Sequence, residues 1–318
     1  MLSPASVLSA AHRLRGIARR TPLRRSDGLS ALVGASVYLK CECEQITGAF
    51  KLRGAFNTIA LLSDEERRKG VVTSSAGNHG MGLAWAARHF GVQATIFVPA
   101  TAPRVKRDGI AALGATVNDQ AAHYDEALDM ATAFATERGA THVHPERGAA
   151  LLAGQGTIAL EILEELPDLA TFVVPVGGGG LLGGCAALLD AVAPRVRIVG
   201  TQSDQTAAMA RSLEAGRIVP IPVAPTLADG LAGAIEETGF ETGRRVLDEM
   251  ITVTEDEIAG AIAWLWREER LVVEGSGAVG VAALRSGYRP PVEGDIAVVL
   301  TGGNIDRDRW DDIVARNS

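Results

Sequence analysis

The sequence of 318 residues is poor in aromatic residues and has no excess of basic charge, and both shortages exclude a class of partner. Phe, Trp and Tyr together make up 4% of the residues, which argues against a surface on which nucleic-acid bases stack. Lys and Arg number 31 against 38 Asp and Glu, so the formal net charge is −7. An acidic protein binds polyanions poorly, and we therefore expect no nucleic-acid partner.

Cysteines and long apolar runs are also scarce. The three cysteines, Cys41, Cys43 and Cys185, cannot form a disulfide framework, and their low number suits a reducing cytoplasm. No apolar run approaches the ~18 residues of a membrane span, so no membrane partner is expected. Residues 1–26 hold six arginines and no acidic residue, as in some transit peptides. We favour an ordinary surface helix across residues 13–19 and a cytoplasmic protein.

Glycine is abundant instead, with 36 residues, and much of it lies in turns between strand-like and helical segments. Alternating strands and helices predict βαβ units, an α/β fold and a parallel sheet. Glycine-containing turns follow Thr73, Val176 and Leu300, each at the end of a predicted strand. Open α/β sheets bind ligands at that edge, so the three turns could converge on one cleft. The predicted strands are 37–40, 71–73, 94–98, 115–117, 141–144, 171–176, 197–200 and 295–300.

Four consecutive glycines, Gly177, Gly178, Gly179 and Gly180, follow a strand and open a helix at Leu181. Successive glycines let backbone N–H groups converge on an anion, and the helix N-terminus adds its positive dipole end. We interpret this turn as a phosphate site rather than as a plain strand-to-helix connection.

A nicotinamide-binding α/β protein is the competing interpretation of the same glycines. Gly178, Gly180 and Gly183 match the pattern G-x-G-x-x-G, but Gly275, Gly277 and Gly280 match it as well. A dinucleotide site also needs an acidic residue at the end of the next strand. The chain has Val-Gly-Thr-Gln at 199–202, so this interpretation is disfavoured.

Lys51 lies beside Phe50 and between two glycines in the segment Gly-Ala-Phe-Lys-Leu-Arg-Gly-Ala at 48–55. Most lysines are solvated surface residues, but partial burial beside an aromatic ring would lower the ammonium pKa and make the amine nucleophilic. A nucleophilic lysine together with a phosphate site suggests pyridoxal phosphate (PLP) held as an imine.

Four ordered motifs together resemble the serine/threonine dehydratases, which are PLP enzymes of the tryptophan-synthase β-type fold (fold type II). They are the segments at 48–55, Ser-Ala-Gly-Asn-His-Gly at 75–80, Val-Gly-Gly-Gly-Gly-Leu at 176–181 and Thr-Gly-Gly-Asn at 301–304. The resemblance extends from about residue 20 to residue 305. It implies a two-lobed α/β fold with parallel-rich twisted sheets flanked by helices. We expect a large lobe of residues 1–68 and 148–318, a small lobe of residues 69–147, and a homodimer.

The resemblance also implies roles for individual residues. Lys51 would form the imine and act as the catalytic base. The expected cofactor contacts are Phe50 against the ring, Asn78 on the 3′-oxygen, Gly177, Gly178, Gly179, Gly180 and the Leu181 amide on the phosphate, and Thr301 on the pyridine nitrogen. The substrate carboxylate would be held by Ser75 and by the backbone of Ala76, Gly77, Asn78 and His79. The His79 side chain has an alternative role, since it could simply brace the turn.

Thr301 and Ala76 bear on which reaction the family resemblance implies. The hydroxyl of Thr301 would not force a proton onto the pyridine nitrogen, which favours rapid loss of a β-substituent over transamination. Serine racemases, which resemble this pattern closely, carry a second serine where this chain has Ala76. Racemisation needs a proton donor on each face of the substrate, so we expect little racemase activity. The predicted activity is elimination of water from L-threonine or L-serine, giving a 2-oxo acid and ammonia.

Two further departures concern the substrate and metal ions. Many threonine dehydratases have Pro-Phe-Asp where this chain has Pro145-Glu146-Arg147. The charged pair suggests, as an alternative substrate, a polar β-hydroxy amino acid: a hydroxyaspartate, or a hydroxylated diamino acid as in hydroxyectoine breakdown. It could also simply face solvent. Some relatives bind a divalent cation after the strand equivalent to 197–200, where only Asp204 is acidic here. We therefore predict no metal site.

Overall fold

Two sheets, both built mainly from parallel strands, organise the computed structural model, which describes residues 2–102, 104–222 and 224–317. The first sheet has the order β1-β2-β10-β7-β8-β9 and the second β5-β4-β3-β6. Every described strand pair is parallel except β1 with β2. The strands are β1 Leu23–Arg25, β2 Val37–Lys40, β3 Val71–Ser74, β4 Ala94–Pro99, β5 Thr116–Ala121, β6 Thr141–His142, β7 Leu169–Pro175, β8 Arg197–Ser203, β9 Glu249–Val253 and β10 Asp295–Val299.

Helices flank both sheets, as the α/β prediction requires. In the described ranges they are α1 Pro4–Leu14, α2 Asp27–Val33, α3 Lys51–Ala60, α4 Asp64–Lys69, α5 Asn78–Phe90, α6 Arg104–Ala112, α7 Tyr124–Arg138, α8 Ala149–Glu165, α9 Gly180–Val192, α10 Ala208–Ala215, α11 Glu237–Val246, α12 Glu255–Glu269, α13 Gly275–Arg285 and α14 Arg307–Arg316. None of them combines the length and the apolar character that crossing a bilayer requires.

Successive side chains of the central strands alternate between the two faces of the six-stranded sheet, and both faces carry part of the hydrophobic core. In β7, Phe172 belongs to one hydrophobic cluster and its neighbour Val173 to another. Ala297 and Val298 of β10 divide between the same two clusters. Successive side chains of a strand point to opposite faces, so a parallel sheet covered on both faces needs apolar residues at nearly every position. The continuous apolar runs in the sequence are explained by this double burial.

The predicted surface helix across residues 13–19 is wrong. The helix α1 ends at Leu14, and Arg15 already has an extended backbone. Its start is fixed by Ser3, whose side chain accepts a hydrogen bond from the backbone N–H of Ser6, and by Pro4 in the first turn. Val7 on α1 is fully buried, so the helix packs on the protein through its apolar face.

The second G-x-G-x-x-G pattern lies in the helix α13. A Cβ at Gly277 would come within 2.9 Å of the carbonyl oxygen of Gly302. A Cβ at Gly280 would come within 2.8 Å of Val298 on β10. These glycines therefore allow the close approach of a helix to the sheet, and the dinucleotide interpretation has no support from this pattern.

Candidate active site

The segment before α3 is tied to the turn that follows β10. The backbone N–H of Phe50 donates to the carbonyl oxygen of Thr301 at 3.1 Å, and Ala49 forms an isolated β-bridge with Gly302. Thr301 is buried. These contacts place Lys51, the first residue of α3, beside the predicted partner of the pyridine nitrogen.

The Lys51 amine lies in a cleft between that turn and the residues after β6. Its Nζ donates to the carbonyl oxygen of Pro145 at 2.9 Å and lies 3.8 Å from Oε1 of Glu146. It is also 5.2 Å from the ring centroid of Phe50, and the Lys51 side chain is 14% exposed. Burial lowers the pKa of Lys51, although the charge of Glu146 opposes part of this shift. The amine is therefore more easily deprotonated than a surface lysine, as a nucleophile requires.

The tetraglycine turn lies against Glu146. A Cβ at Gly178 would overlap a carboxylate oxygen of Glu146, and a Cβ at Gly180 would lie 2.9 Å from its Cα. Gly179 has φ +98°, a conformation that side chains rarely adopt. The helix α9 begins at Gly180, so the turn presents the backbone N–H groups of a helix N-terminus, where anions bind favourably.

Gly177 and Leu181 border that turn. A Cβ at Gly177 would lie 3.4 Å from Glu146, so this glycine also faces the cleft. The side chain of Leu181 is buried in the same hydrophobic cluster as Phe50. The two motifs are therefore brought together by packing as well as by the cleft.

The turn after β3 presents another helix N-terminus. Ser75, Ala76 and Gly77 are half-buried, and the Ser75 hydroxyl accepts a hydrogen bond from the backbone N–H of Gly77 at 3.3 Å. The helix α5 then begins at Asn78, and a Cβ on its Gly82 would come within 2.9 Å of the Leu52 backbone nitrogen. This close approach sets the α5 N-terminus beside the start of α3, where free amides can hold a carboxylate.

The side chain of His79 forms its hydrogen bond to the protein backbone rather than pointing into the cleft. Its Nε2–H donates to the carbonyl oxygen of Val143 at 2.9 Å, and the residue is buried. Burial, together with the charge of Lys51, lowers the pKa of His79 to about 3, so its imidazole is neutral. This geometry favours the alternative interpretation in which the side chain braces the turn.

Glu274 is a site residue to which the sequence analysis assigned no role. It is 7% exposed, and its Oε1 accepts a hydrogen bond from Nδ2 of Asn78 at 2.7 Å. Burial, and secondarily the charge of Asp229, raises the pKa of Glu274 to about 7. Its signal in the sequence is a single acidic residue within the apolar segment Leu-Val-Val-Glu-Gly at 271–275. Such a residue needs a buried polar partner, but the sequence does not say which.

No group of three or more His, Cys, Asp or Glu residues in the described ranges is arranged to hold a metal ion. Near the end of β8, Gln202 uses its side-chain oxygen to accept a hydrogen bond from the backbone N–H of Ala210 at 3.1 Å. The absence of a cation site stays a prediction.

The comparison with family models identifies this arrangement. The model described as pyridoxal-phosphate dependent enzyme matches residues 14–302. The chain belongs to this family. It is 43% identical over 318 residues to the L-threonine ammonia-lyase of Thermotoga maritima, covering 99% of this chain and 78% of that protein.

Solved structures of PLP enzymes agree with the fold. The structure of maize serine racemase has a TM-score of 0.93 at 33% identity, covering 99% of this chain and 97% of its own. The processed form of threonine deaminase isoform 2 from Solanum lycopersicum has a TM-score of 0.91 at 34% identity, and the match covers 98% of this chain and 87% of that one. The predicted fold type II is therefore confirmed, as is PLP as the cofactor.

The residues of the cleft fit PLP. Lys51 offers a largely buried amine, and the tetraglycine turn holds an anion, the carboxylate of Glu146, where a Cβ at position 178 would overlap it. Glu146 lies between these two features, with its side chain 23% exposed, and would have to move away for a phosphate to bind at the turn. The individual contacts expected of Phe50, Asn78, Leu181 and Thr301 stay predictions.

Proposed function

We propose that the chain is a PLP-dependent ammonia-lyase that eliminates water from a β-hydroxy amino acid of the L-threonine or L-serine type. The observation that carries the proposal is the buried Lys51 amine, held 2.9 Å from the Pro145 carbonyl beside a tetraglycine turn. Its similarity to the L-threonine ammonia-lyase of Thermotoga maritima supports a carbon–nitrogen lyase. The products are a 2-oxo acid and ammonia.

The proposed mechanism assigns separate tasks to the cleft residues. Bound PLP supplies an electron sink for the bond that is broken at the substrate Cα. Lys51 would hold the cofactor through its amine, and the same amine, when free, would remove the proton from the substrate Cα. The Ser75 side chain and the backbone N–H groups of residues 76–79 hold the substrate carboxylate. The Thr301 hydroxyl would bind the pyridine nitrogen.

A substrate panel tests this proposal. The purified holoenzyme is assayed with L-threonine, L-serine and polar β-hydroxy amino acids, with release of 2-oxo acid and ammonia as the readout. We expect both products in equal amounts from at least one substrate. With L-serine, we expect D-serine to form far more slowly than pyruvate, because Ala76 replaces the second proton donor. Comparable rates would instead favour a racemase, and a lack of 2-oxo acid from every substrate would contradict the proposal.

One observation favours a second candidate substrate with a positively charged side chain. Glu146 lies 3.8 Å from the Lys51 amine, whereas Nε of the adjacent Arg147 pairs with Glu236 at 2.7 Å. If the cofactor takes up the Lys51 amine, Glu146 would lose this ammonium partner. An ammonium group on the substrate could take its place. This geometry favours a hydroxylated diamino acid over hydroxyaspartate.

Replacing Glu146 by glutamine tests this candidate. We expect the ratio of kcat/KM for a hydroxylated diamino acid to that for L-threonine to fall by about 10-fold or more, because a charge-assisted hydrogen bond is lost. Both values come from the same 2-oxo acid assay. The control is Glu65→Gln, since Glu65 is exposed and pairs only with Lys69 on α4 in the described contacts. An unchanged ratio would remove Glu146 from substrate selection.

We also propose the two lobes expected from the sequence, residues 1–68 with 148–318 and residues 69–147. The arrangement of the sheets supports this division, because β3 to β6 form the four-stranded sheet and the other described strands form the six-stranded one. Homodimer formation and a cytoplasmic location are likewise proposals. The free cysteines Cys41, Cys43 and Cys185 are compatible with a reducing compartment.

A further inference from the structure

The side-chain amide of Asn78 is held on two sides by residues from distant parts of the chain. Its Oδ1 accepts a hydrogen bond from Nδ2 of Asn304 at 2.7 Å. Its Nδ2 donates to Oε1 of Glu274, also at 2.7 Å. Asn78 begins α5, Glu274 precedes α13, and Asn304 follows β10. Three of the segments that line the cleft are therefore joined at one amide.

The partners on both sides of Asn78 determine which group donates and which accepts: Asn304 is the donor and Glu274 the acceptor. Nδ2 of Asn304 also donates to the carbonyl oxygen of Thr47 at 2.8 Å. A backbone carbonyl can only accept, so the nitrogen of Asn304 and not its oxygen must face this position. Both of its N–H bonds are then used, one on Thr47 and one on Asn78. At the other end, the carboxylate of Glu274 accepts from Asn78.

Steric constraints keep the two partners in place. A Cβ at Gly48 would come within 2.9 Å of Cγ of Asn304, so this glycine leaves the space that the Asn304 amide fills. A Cβ at Gly302 would lie 2.5 Å from Oε1 of Glu274, whose backbone N–H donates to the Gly302 carbonyl oxygen at 3.0 Å. The buried carboxylate is therefore directed at Asn78 by its own backbone as well as by its surroundings.

The amide of Asn78 keeps one N–H that has no acceptor among the described residues. Its oxygen is bound to Asn304 and its other N–H to Glu274, and a planar amide cannot turn without breaking both contacts. We propose that Asn304 and Glu274 are positioning residues, which hold the Asn78 amide so that its remaining N–H is donated to the phenolic oxygen of PLP. The inference rests on the proposed PLP-dependent function and on the contact predicted for Asn78, a hydrogen bond to the 3′-oxygen of PLP, which is its phenolic oxygen.

The variant Asn304→Asp tests this inference with little change in side-chain shape. The new carboxylate has no N–H to donate, so it repels both the Thr47 carbonyl and Oδ1 of Asn78. The Asn78 amide then loses its hold on both sides, because turning its nitrogen toward position 304 puts its oxygen against Glu274 and the cofactor. Loss of a hydrogen bond to the phenolic oxygen makes the imine nitrogen of the lysine-bound cofactor more basic. We expect the midpoint of the imine titration, followed by visible absorption, to rise by about one pH unit.

Two further variants separate positioning from a general structural effect. In an Asn78→Ala background, Asn304→Asp should add no further shift, because Asn304 acts through Asn78. The control Asn118→Asp introduces the same charge on β5, where the Asn118 oxygen accepts from the Gln120 backbone, and should leave the midpoint unchanged. The PLP dissociation constant of each apoprotein, followed by protein fluorescence, should rise for Asn304→Asp and not for the control.

Each remaining outcome contradicts the inference. An Asn304→Asp variant with an unchanged midpoint and PLP affinity would overturn it, and so would shifts that add in the double variant. If Asn78→Ala itself leaves the midpoint unchanged, both the role of Asn78 and our inference fail. The proposed lyase activity is decided separately, by release of 2-oxo acid from the wild-type enzyme.

Discussion

Replacing Lys51 by alanine is expected to lower kcat/KM for the preferred β-hydroxy amino acid by about 10⁴-fold or more. One amine performs two tasks in the proposed mechanism, since it binds the cofactor aldehyde and later removes the Cα proton. No second lysine can take over, because within the described residues the amine that contacts Pro145 and Glu146 is that of Lys51. The variant should also lose the visible absorption band of lysine-bound PLP.

The fold of the Lys51→Ala variant should be retained, because the loss removes a side chain from a cleft and not from the core. Its circular dichroism spectrum and its thermal midpoint therefore serve as a check. The matched control is Lys69→Ala, since the Lys69 side chain is 46% exposed and pairs with Glu65 on α4. If Lys51→Ala keeps more than about a hundredth of wild-type turnover, the amine is not the base, because general base catalysis alone contributes 10²–10⁴-fold.

The parts of the site that the sequence predicts are those with a strong local signal. A run of four glycines at 177–180 has the backbone freedom that an anion-binding turn requires, and the structure places it where β7 ends. Lys51 between two glycines is distinctive in the same way. The sequence also predicts strands such as β3, because most of its residues from Val71 to Ser74 are β-branched. The structure shows that all four are buried.

Features that depend on distant partners could not be predicted. Nothing near Glu274 in the sequence indicates that Asn78, almost 200 residues earlier, is its partner. The start of α8 at Ala149 depends on packing against α1, α3 and α9. Helices such as α13 are poor in helix-favouring residues, and their stability comes from burial against the sheet rather than from propensity.

A cluster of buried charges beneath α3 anchors the helix that carries Lys51. The Arg53 side chain is 1% exposed, and its Nε and Nη2 donate to the two oxygens of Glu42 at 2.9 and 2.8 Å. Its Nη1 donates to Glu161 of α8 at 2.6 Å, and Glu161 also accepts from Lys40 at 2.6 Å. Burial raises the pKa of Glu42, but the charge and hydrogen bonds of Arg53, together with the charge of Lys40 and the hydroxyl of Thr21, outweigh it, so the pKa is lowered.

Replacing Arg53 by methionine is expected to lower the free energy of unfolding by about 3–5 kcal/mol. The reason is the carboxylate that remains, because Glu42 is fully buried and would lose its bidentate partner. Urea-induced unfolding of the holoenzyme, followed by circular dichroism, measures the change. The control is Arg20→Met: Arg20 also pairs with α8, through Glu164 and Glu165, but its side chain is 51% exposed. Its loss should cost about 0–1 kcal/mol.

The pH dependence of the Arg53→Met defect distinguishes a lost charge pair from lost packing. In the wild type the pKa of Glu42 is lowered in the folded state, so its contribution is lost as the pH falls through that folded pKa. In the variant, burial without Arg53 raises the pKa of Glu42, so the folded state takes up a proton more readily than the unfolded one. The variant is then stabilised relative to the wild type as the pH falls.

The difference in unfolding free energy between the wild type and Arg53→Met should therefore become smaller as the pH falls from 7 to 5. A difference that is independent of pH would show that Arg53 contributes mainly through its packing. A double variant, Arg53→Met with Glu42→Leu, gives a second check, because it leaves no carboxylate unpaired at position 42. Apolar replacement of both members of a buried ion pair is often close to neutral. The double variant should accordingly regain most of the stability that Arg53→Met loses, whereas equal or greater loss would contradict the electrostatic explanation.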